Sequence, residues 1–381
     1  RLLSAQQEAA KHEQEVQREE DDDPADSRPV AAQRGEAGFK EEQRGDHEDN
    51  AGEADAERGD QAKEREQKYQ EANDSLFWMR QIDRVIVNSF LGGIFCYLQQ
   101  LKAPWQTMQQ ATTISVVITT YNRPDALQAV VEACFGQDDK NFEIIIADDG
   151  STANTKDCID SLKKRSPVPL HHVWQPDDGF RAAMARNRGT LAAAGEYVVF
   201  IDGDCIPQRD FISQHRKLAR RGYLVSGSRV LLSPALTARV LSEHIDLHRA
   251  GVGNKLAYRF KGHINKVAQL LVRWPDIGRH SRRFSWRRIK SCNLAVWRSD
   301  LEMVNGFDES FTGWVHEDSD LVVGLYNAGV MRKDGAFATE VYHLWHREAT
   351  RDQESSNKKL VVARAKDGTV RATKGLAEHL P

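Results

Sequence analysis

Between residues 114 and 202 the apolar positions fall into two alternating kinds of run. Ile114 to Tyr121 (ISVVITTY) is β-branched and stops at Asn122, Arg123 and Pro124, which end a strand and start a helix. In DALQAVVEACFGQ the residues Leu127, Val130, Val131 and Cys134 recur at helical spacing until Gly136. FEIIIADDGS predicts a second buried strand that breaks at Asp148, Asp149 and Gly150. NTKDCIDSLKKR then predicts a helix, LHHVWQ a third strand, FRAAMARNRGTLAAAG a third helix and EYVVFID a fourth strand. This β-α-β-α-β-α-β order predicts an α/β fold, a mostly parallel sheet flanked by helices. Ligands of such sheets sit beyond the carboxyl ends of the strands, where Thr120 to Arg123, Asp148 to Ser151 and Asp202 to Asp204 fall.

Before this region the pattern is absent. Residues 1–75 hold 23 acidic and 11 basic side chains and no Trp, Ile or Met, a composition expected to be disordered because it buries too little apolar surface to offset chain entropy. Removing their charge of −12 from the net −3 leaves +9 on the remainder, which suits anionic substrates or a membrane surface. Residues 76–110 are expected as an apolar or amphipathic helical linker, residues 111–350 as the catalytic-type domain and residues 351–381 as a polar C-terminal tail. Within the linker, Val85 to Leu98 is 14 residues long, short of the ~20 that span a bilayer. Domain-like sequence begins just after Met108, so Met108 is expected to approximate the natural start. Five widely spaced cysteines (Cys96, Cys134, Cys158, Cys205, Cys292) without a CxxC pair, together with the absence of a signal peptide, favour a reducing, cytoplasmic setting.

The chemistry concentrates at GEYVVFIDGDCIPQ, where an apolar strand ends in Asp202 and Asp204 with only Gly203 between them. Burying unpaired carboxylates is costly, so the pair is expected to face water or a cation. Mg²⁺ and Mn²⁺ take oxygen ligands and share them with substrate phosphates, and Gly203 leaves space for an approaching phosphate. Pro207 is expected to stiffen the exit from the strand.

VVITTYNRPDAL, IIIADDGST, GFRAAMARNRG and VVFIDGDCIP, in this order and spacing, resemble the family 2 glycosyltransferases, whose fold is the Rossmann-like, nucleotide-binding GT-A arrangement. The resemblance runs from about Ile114 to Trp345. FDESFTGWVHEDSDL further resembles the W-G-x-E-D segment of galactosyltransferase-like and chondroitin-polymerase-like members, departing from it at Val315 and His316. It implies inverting transfer from a nucleotide diphosphate sugar, a UDP-sugar first, with Mn²⁺ or Mg²⁺ on the diphosphate. Asp204 is then the first metal ligand and Asp202 a second ligand or a ribose and phosphate partner. Asp149 meets the nucleoside, Thr120, Tyr121 and Arg123 line its pocket, Asn187 and Asp178 frame the sugar, and Arg186 pairs with a phosphate or holds Asp202. The bland reading of Arg186 is a helix-surface cation.

The resemblance also puts a base at Asp318 and an acceptor-binding carboxylate at Glu317, with Trp314 as a sugar-stacking platform. Without it, Glu317, Asp318 and Asp320 would merely complement a helix dipole. In VYHLWHRE, His343 and His346 stand at the spacing that completes the metal site of the resembling galactosyltransferases. Residues three apart on a straight strand face opposite sides, so both reach one ion only if the chain turns. His171 and His172 are expected as strand-edge residues. Arg273 to Lys290 carries seven Lys or Arg and one acid among Trp274, Phe284 and Trp286, which fits a loop over the site, peripheral docking on anionic membrane, or a solvated basic face. No recognition motif supports nucleic-acid binding. The expected partners are thus a nucleotide sugar donor, a glycan or lipid-linked acceptor and, peripherally, the inner face of the cell membrane. The alternatives are a catalytically inactive module that binds nucleotide sugar and a nucleotidyltransferase, for which the loop after the first strand lacks the Gly-rich basic pattern.

Overall fold

The computed structural model describes residues 113–280, 286, 289–311, 316–347 and 354–380. Residues 1–112, with the expected disordered segment, the linker and Met108, lie outside them, as does Trp314. The alternating region forms β1 (Ile114–Thr120), α1 (Pro124–Phe135), β2 (Phe142–Asp148), α2 (Ala153–Lys164), β3 (Leu170–Trp174), α3 (Ala182–Ala192) and β4 (Tyr197–Asp202). Pro124 opens α1 because its fixed φ suits the first helical turn, where its missing N–H costs nothing.

After β4 the chain forms β5 (Cys205–Pro207), α4 (Phe211–Leu218), β6 (Tyr223–Ser226), β7 (Arg229–Leu231), α5 (Pro234–Ser242), α6 (Val252–Phe260) and α7 (Ala268–Leu271). It continues through β8 (Asn293–Trp297), α8 (Arg298–Val304), α9 (Glu317–Asn327), β9 (Met331–Asp334), β10 (Val341–His343) and α10 (Glu354–Asp367). Pro207 is the last residue of β5, paired with Val341 of β10, so it lies in a second strand beyond the exit from β4.

The main sheet has the order β3-β2-β1-β4-β8-β6-β9. β1 lies parallel between β2 and β4, whereas β8 runs antiparallel to β4. Connections therefore run outward in one direction from β1 to β3 and resume on its other side at β4. The chain reverses at the carboxyl ends of β1 and β4, the place where doubly wound sheets bind ligands. Strand alternation divides the core. Val116, Ile118, Ile144, Ile146, Val199 and Ile201 pack with α1 and α2, and Val117, Ile145, Val198 and Phe200 pack with α3, α8 and α9. Continuous apolar strands follow from this burial on both faces.

A second, three-stranded sheet has the order β5-β10-β7. β10 pairs antiparallel with β5, putting His343 opposite Cys205, and parallel with β7, putting His343 opposite Leu231. The C-terminal segment differs from the polar tail expected of it. Val361 and Leu376 are buried, and the guanidinium of Arg364 reaches Asp308 at 3.2 Å and also pairs with Asp320. A mean hydropathy of the whole helix conceals this, because a single apolar side chain and one arginine suffice to dock it.

Candidate metal and sugar-donor site

Asp202 ends β4 and Asp204 stands in the turn into β5, off the strand's alternation, and the two carboxylates have different partners. The crowding that Gly203 relieves is against β1: a Cβ there would stand 3.0 Å from the Thr119 carbonyl oxygen and 3.1 Å from Thr120 Oγ1. Its own N–H donates to that carbonyl at 2.7 Å, locking the two strand ends together.

Asp204 gathers the late histidines. Its carboxylate lies 3.7 Å from His343 Nε2 and 3.3 Å from His346 Nε2, and one ligand atom of each residue lies within 4.8 Å of the others. The turn that both histidines need is present, since β10 ends at His343 and the next residues leave the strand. Leu344 N–H donates to the Asp204 carbonyl at 2.9 Å, holding that turn to the β4–β5 junction. One carboxylate and two imidazoles fit a divalent first-row cation. Among the two ions expected, this donor set favours Mn²⁺, because Mg²⁺ prefers all-oxygen coordination. Asp202 is not part of this group.

Asp202 is engaged by Arg186, whose Nη2 donates to Asp202 Oδ1 at 3.1 Å while Nη1 donates to Glu317 Oε1 at 3.0 Å. Arg186 is buried, so it is not a helix-surface cation, and its guanidinium lies 5.5 Å from the Phe307 ring centroid. Burial works against its charge, but Asp202 and Glu317 more than offset that and hold it above the ordinary arginine range. Burial pushes the Glu317 carboxyl up, Asp318 adds to the rise, and Arg186 opposes it. The chain Glu317–Arg186–Asp202 thereby ties the first turn of α9 to the end of β4.

Asp318 stands beside that chain, half-buried. Its Oδ2 accepts the Ser291 N–H at 3.1 Å and its Oδ1 the Ser319 N–H at 2.7 Å, so both oxygens are oriented by backbone. Asp320, one turn deeper, faces Arg364 and not the site.

The donor-side residues divide. Tyr121 is exposed, with its hydroxyl donating to Asp177 at 2.9 Å, and Arg123 pairs with Asp125 at the start of α1. Thr120 is buried in register with Asp148, and its Oγ1 has no partner. Asp149 accepts Gln175 Nε2 at 2.6 Å and the Arg181 N–H at 2.9 Å, while desolvation pushes its carboxyl up. It holds the loop after β3 against the end of β2. Gly150, at φ +92°, permits this approach, because a Cβ there would meet the Asp177 backbone at 2.5 Å. Asp178 pairs with Arg181 at that loop. Asn187 corrects the expectation of a sugar contact: it is fully buried, donates to Phe307 O at 2.8 Å and Glu309 at 2.9 Å, and accepts the Phe307 N–H at 2.9 Å. One helical step past Arg186, about 100° round α3, turns it to a different side. His172 lies on the edge strand, where its Nε2 is 2.9 Å from Asp148 Oδ2, and His171 beside it is exposed.

Three residues escaped the sequence reading. Ser291 acts through its backbone, which no residue type announces. Arg364 carries no signal beyond being a cation in a helix. Arg229 opens β7, where burial works against its charge and Cys292 and Cys205 first, then Asp202 and Asp204, more than offset that; a lone arginine beginning a three-residue strand offers no motif.

Residues 115–288 match the family described as Glycosyl transferase family 2, and residues 277–347 the one described as N-terminal domain of galactosyltransferase. Validoxylamine A glucosyltransferase of Streptomyces hygroscopicus subsp. jinggangensis is 28% identical over 230 residues, covering 57% of this chain and 52% of its own. Chondroitin synthase of Escherichia coli is 26% identical over 254 residues, covering 60% of this chain and 34% of its own. The chain thus spans about half or less of the length of these curated relatives. Among solved structures, S. aureus TarS is similar at 14% identity with a TM-score of 0.45, covering 70% of this chain and 41% of that one. The two family matches meet without a gap across the sheet, the Asp204 cluster and the α9 carboxylates, so residues 115–347 resemble first glycosyl transferase family 2 and then the galactosyltransferase domain.

Proposed function

We propose that the protein is a metal-dependent, inverting glycosyltransferase. It moves a sugar from a nucleotide diphosphate sugar, a UDP-sugar first, to a hydroxyl of a bacterial surface glycan such as lipopolysaccharide core or a capsular polysaccharide. The observation that carries this reading is the meeting of Asp204, His343 and His346 beside the Glu317–Arg186–Asp202 chain, at the strand ends where a doubly wound sheet binds ligand. A relative named for chondroitin synthesis supports a polysaccharide acceptor.

A divalent cation bound at Asp204, His343 and His346 would supply positive charge against that developing on the departing nucleotide diphosphate. The chain's own residues do the rest. Asp318, with both oxygens aimed by backbone N–H groups, takes the proton of the acceptor hydroxyl as that oxygen attacks the anomeric carbon from the face opposite the leaving group. Glu317, tied to Arg186, sets the position of Asp318 and offers its remaining oxygen to the acceptor. Arg186 holds Asp202 at the mouth of the diphosphate site, its charge opposing the upward push that burial gives that carboxyl. Tyr121 presents an exposed ring to the nucleoside, and Asp149 holds the loop that encloses it.

Nucleotide release from a panel of UDP-, GDP- and dTDP-sugars, with Mn²⁺, with Mg²⁺ or with EDTA, tests the reading. Turnover of at least one donor that EDTA abolishes is expected, and no turnover of any donor in either metal sinks it.

A further inference from the structure

Helix α6 turns its apolar side outward. None of its residues is buried, and the partly buried Tyr258 is the side chain that packs on the core. Val252, Leu256 and Phe260 recur every fourth residue on roughly the opposite face, with Val252 61% and Phe260 86% exposed. Such a face would ordinarily be the buried one.

A second set of apolar tips follows α7. Val272 is 49%, Trp274 57% and Ile277 70% exposed. The loop that shows them is held from beneath by Arg279, which is buried and donates to the carbonyls of Trp274, Pro275, Asp334 and Ala336. α6 is joined to α7 by Lys255 Nζ, which donates to Leu270 O at 3.1 Å. Both sets of tips therefore project from ordered backbone.

The charges along this segment have one sign, with the exposed Asp246 standing just before it. From Leu247 to Pro275 there are six Lys or Arg and no Asp or Glu. Lys255, Lys266 and Arg273 turn inward to Leu270 O, Ser228 Oγ and Asp210, leaving Arg249, Arg259 and Lys261 exposed. The next acid, Asp276, is paired with Lys333 at 2.9 Å. Apolar tips among an excess of exposed cations match the lipid–water boundary of an anionic bilayer, which accepts both at once.

The patch also adjoins the candidate metal site. Four residues after Phe260, Ile264 bridges to Leu232, and Asn265 Oδ1 accepts the Leu231 N–H at 3.0 Å. Leu231 stands opposite His343 in the small sheet.

We propose that α6 and the Leu271–Ile277 loop form a docking surface for an anionic lipid bilayer, which brings the His343 side of the site to the membrane. That a lipid-linked acceptor is met there rests on the transferase reading; the docking does not.

The test is co-sedimentation of the full chain with vesicles of phosphatidylcholine alone and of phosphatidylcholine with phosphatidylglycerol. Binding is expected only to the anionic vesicles, and it weakens as salt is raised. Val252→Glu with Phe260→Glu weakens it roughly tenfold or more, as lost apolar insertion requires. Arg259→Glu with Lys261→Glu weakens it by roughly tenfold through charge. Circular dichroism and nucleotide release without vesicles stay at wild-type values in both variants. Equal binding to the two vesicle types, or none, overturns the proposal. So does unchanged binding by the Val252 and Phe260 variant, which would place docking on another segment such as Val85–Leu98. A concentration-dependent dimer in sedimentation velocity that this variant disperses would assign the face to a second copy and also overturn it. Vesicle binding with no donor turnover would leave docking standing and sink the transferase reading alone.

Discussion

From Ile114 to Asp202 most functional side chains stand at or just past a strand end, and Arg186 stands within α3, on elements that their own residues specify. From Cys205 onward the site is assembled from three short strands, a helix N-terminus and a C-terminal helix, separated in sequence. The first region supplies a stiff floor, because β1 and β4 are parallel neighbours locked by Gly203. The second brings the histidines, Glu317 and Asp318 onto that floor. Arg186 joins the two, with one hand on Asp202 and the other on Glu317. A site divided in this way lets the binding floor and the reacting groups be altered separately.

The largest effect that separates the regions is expected from Asp204→Ala. It removes the one carboxylate of the metal cluster and with it several kcal/mol of charge stabilisation, roughly a 10³-fold loss in kcat/KM, measured by nucleotide release in Mn²⁺. Asp318→Asn, in the second region, should lower kcat by about 10²- to 10⁴-fold while donor affinity measured by calorimetry stays near wild type. If both variants lost donor affinity equally, the division of labour would be wrong.

Arg364→Ala tests how the second region is held. It leaves Asp320 and Asp308 without their buried partner, which costs about 3–5 kcal/mol of stability, read as a fall in Tm. An unchanged Tm would show that the C-terminal helix does not support α9. The smallest effect, taken per pH unit, belongs to His215 in α4, which burial pushes down to about 3, against a smaller opposing pull from Asn293. Its ordinary value is 6.5, so between the two the unfolded chain binds the proton that the folded one refuses. Stability is therefore lost as pH falls through that window, by at most about 1.4 kcal/mol per pH unit. His215→Leu should flatten that part of the Tm profile, and an unaltered slope would contradict it.

The contrast also explains what the sequence disclosed. Strands such as FEIIIAD are buried on both faces, so their composition is determined locally and their ends point to Asp148 and Asp202. Asp204, His343 and His346 were within reach because a family resemblance supplied spacing, yet their convergence depends on a three-residue pairing between β5 and β10 that no periodicity encodes. Asn187 was misplaced because neighbours on a helix share a motif but face different sides. Arg186, from the same motif, pairs with Asp202, one of the two partners expected of it. The docking of Arg364 was invisible, since its carboxylates lie 44 and 56 residues away in the chain.

The central claim is that Asp204, His343 and His346 hold one ion. It is tested most directly by titrating Mn²⁺ into the protein and following the free-ion signal by electron paramagnetic resonance, with UDP present. The account predicts that Asp204→Ala, His343→Ala and His346→Ala each weaken Mn²⁺ binding, and that Asp202→Ala, whose carboxylate is engaged by Arg186, weakens it less. Wild-type affinity in all three cluster variants would contradict it.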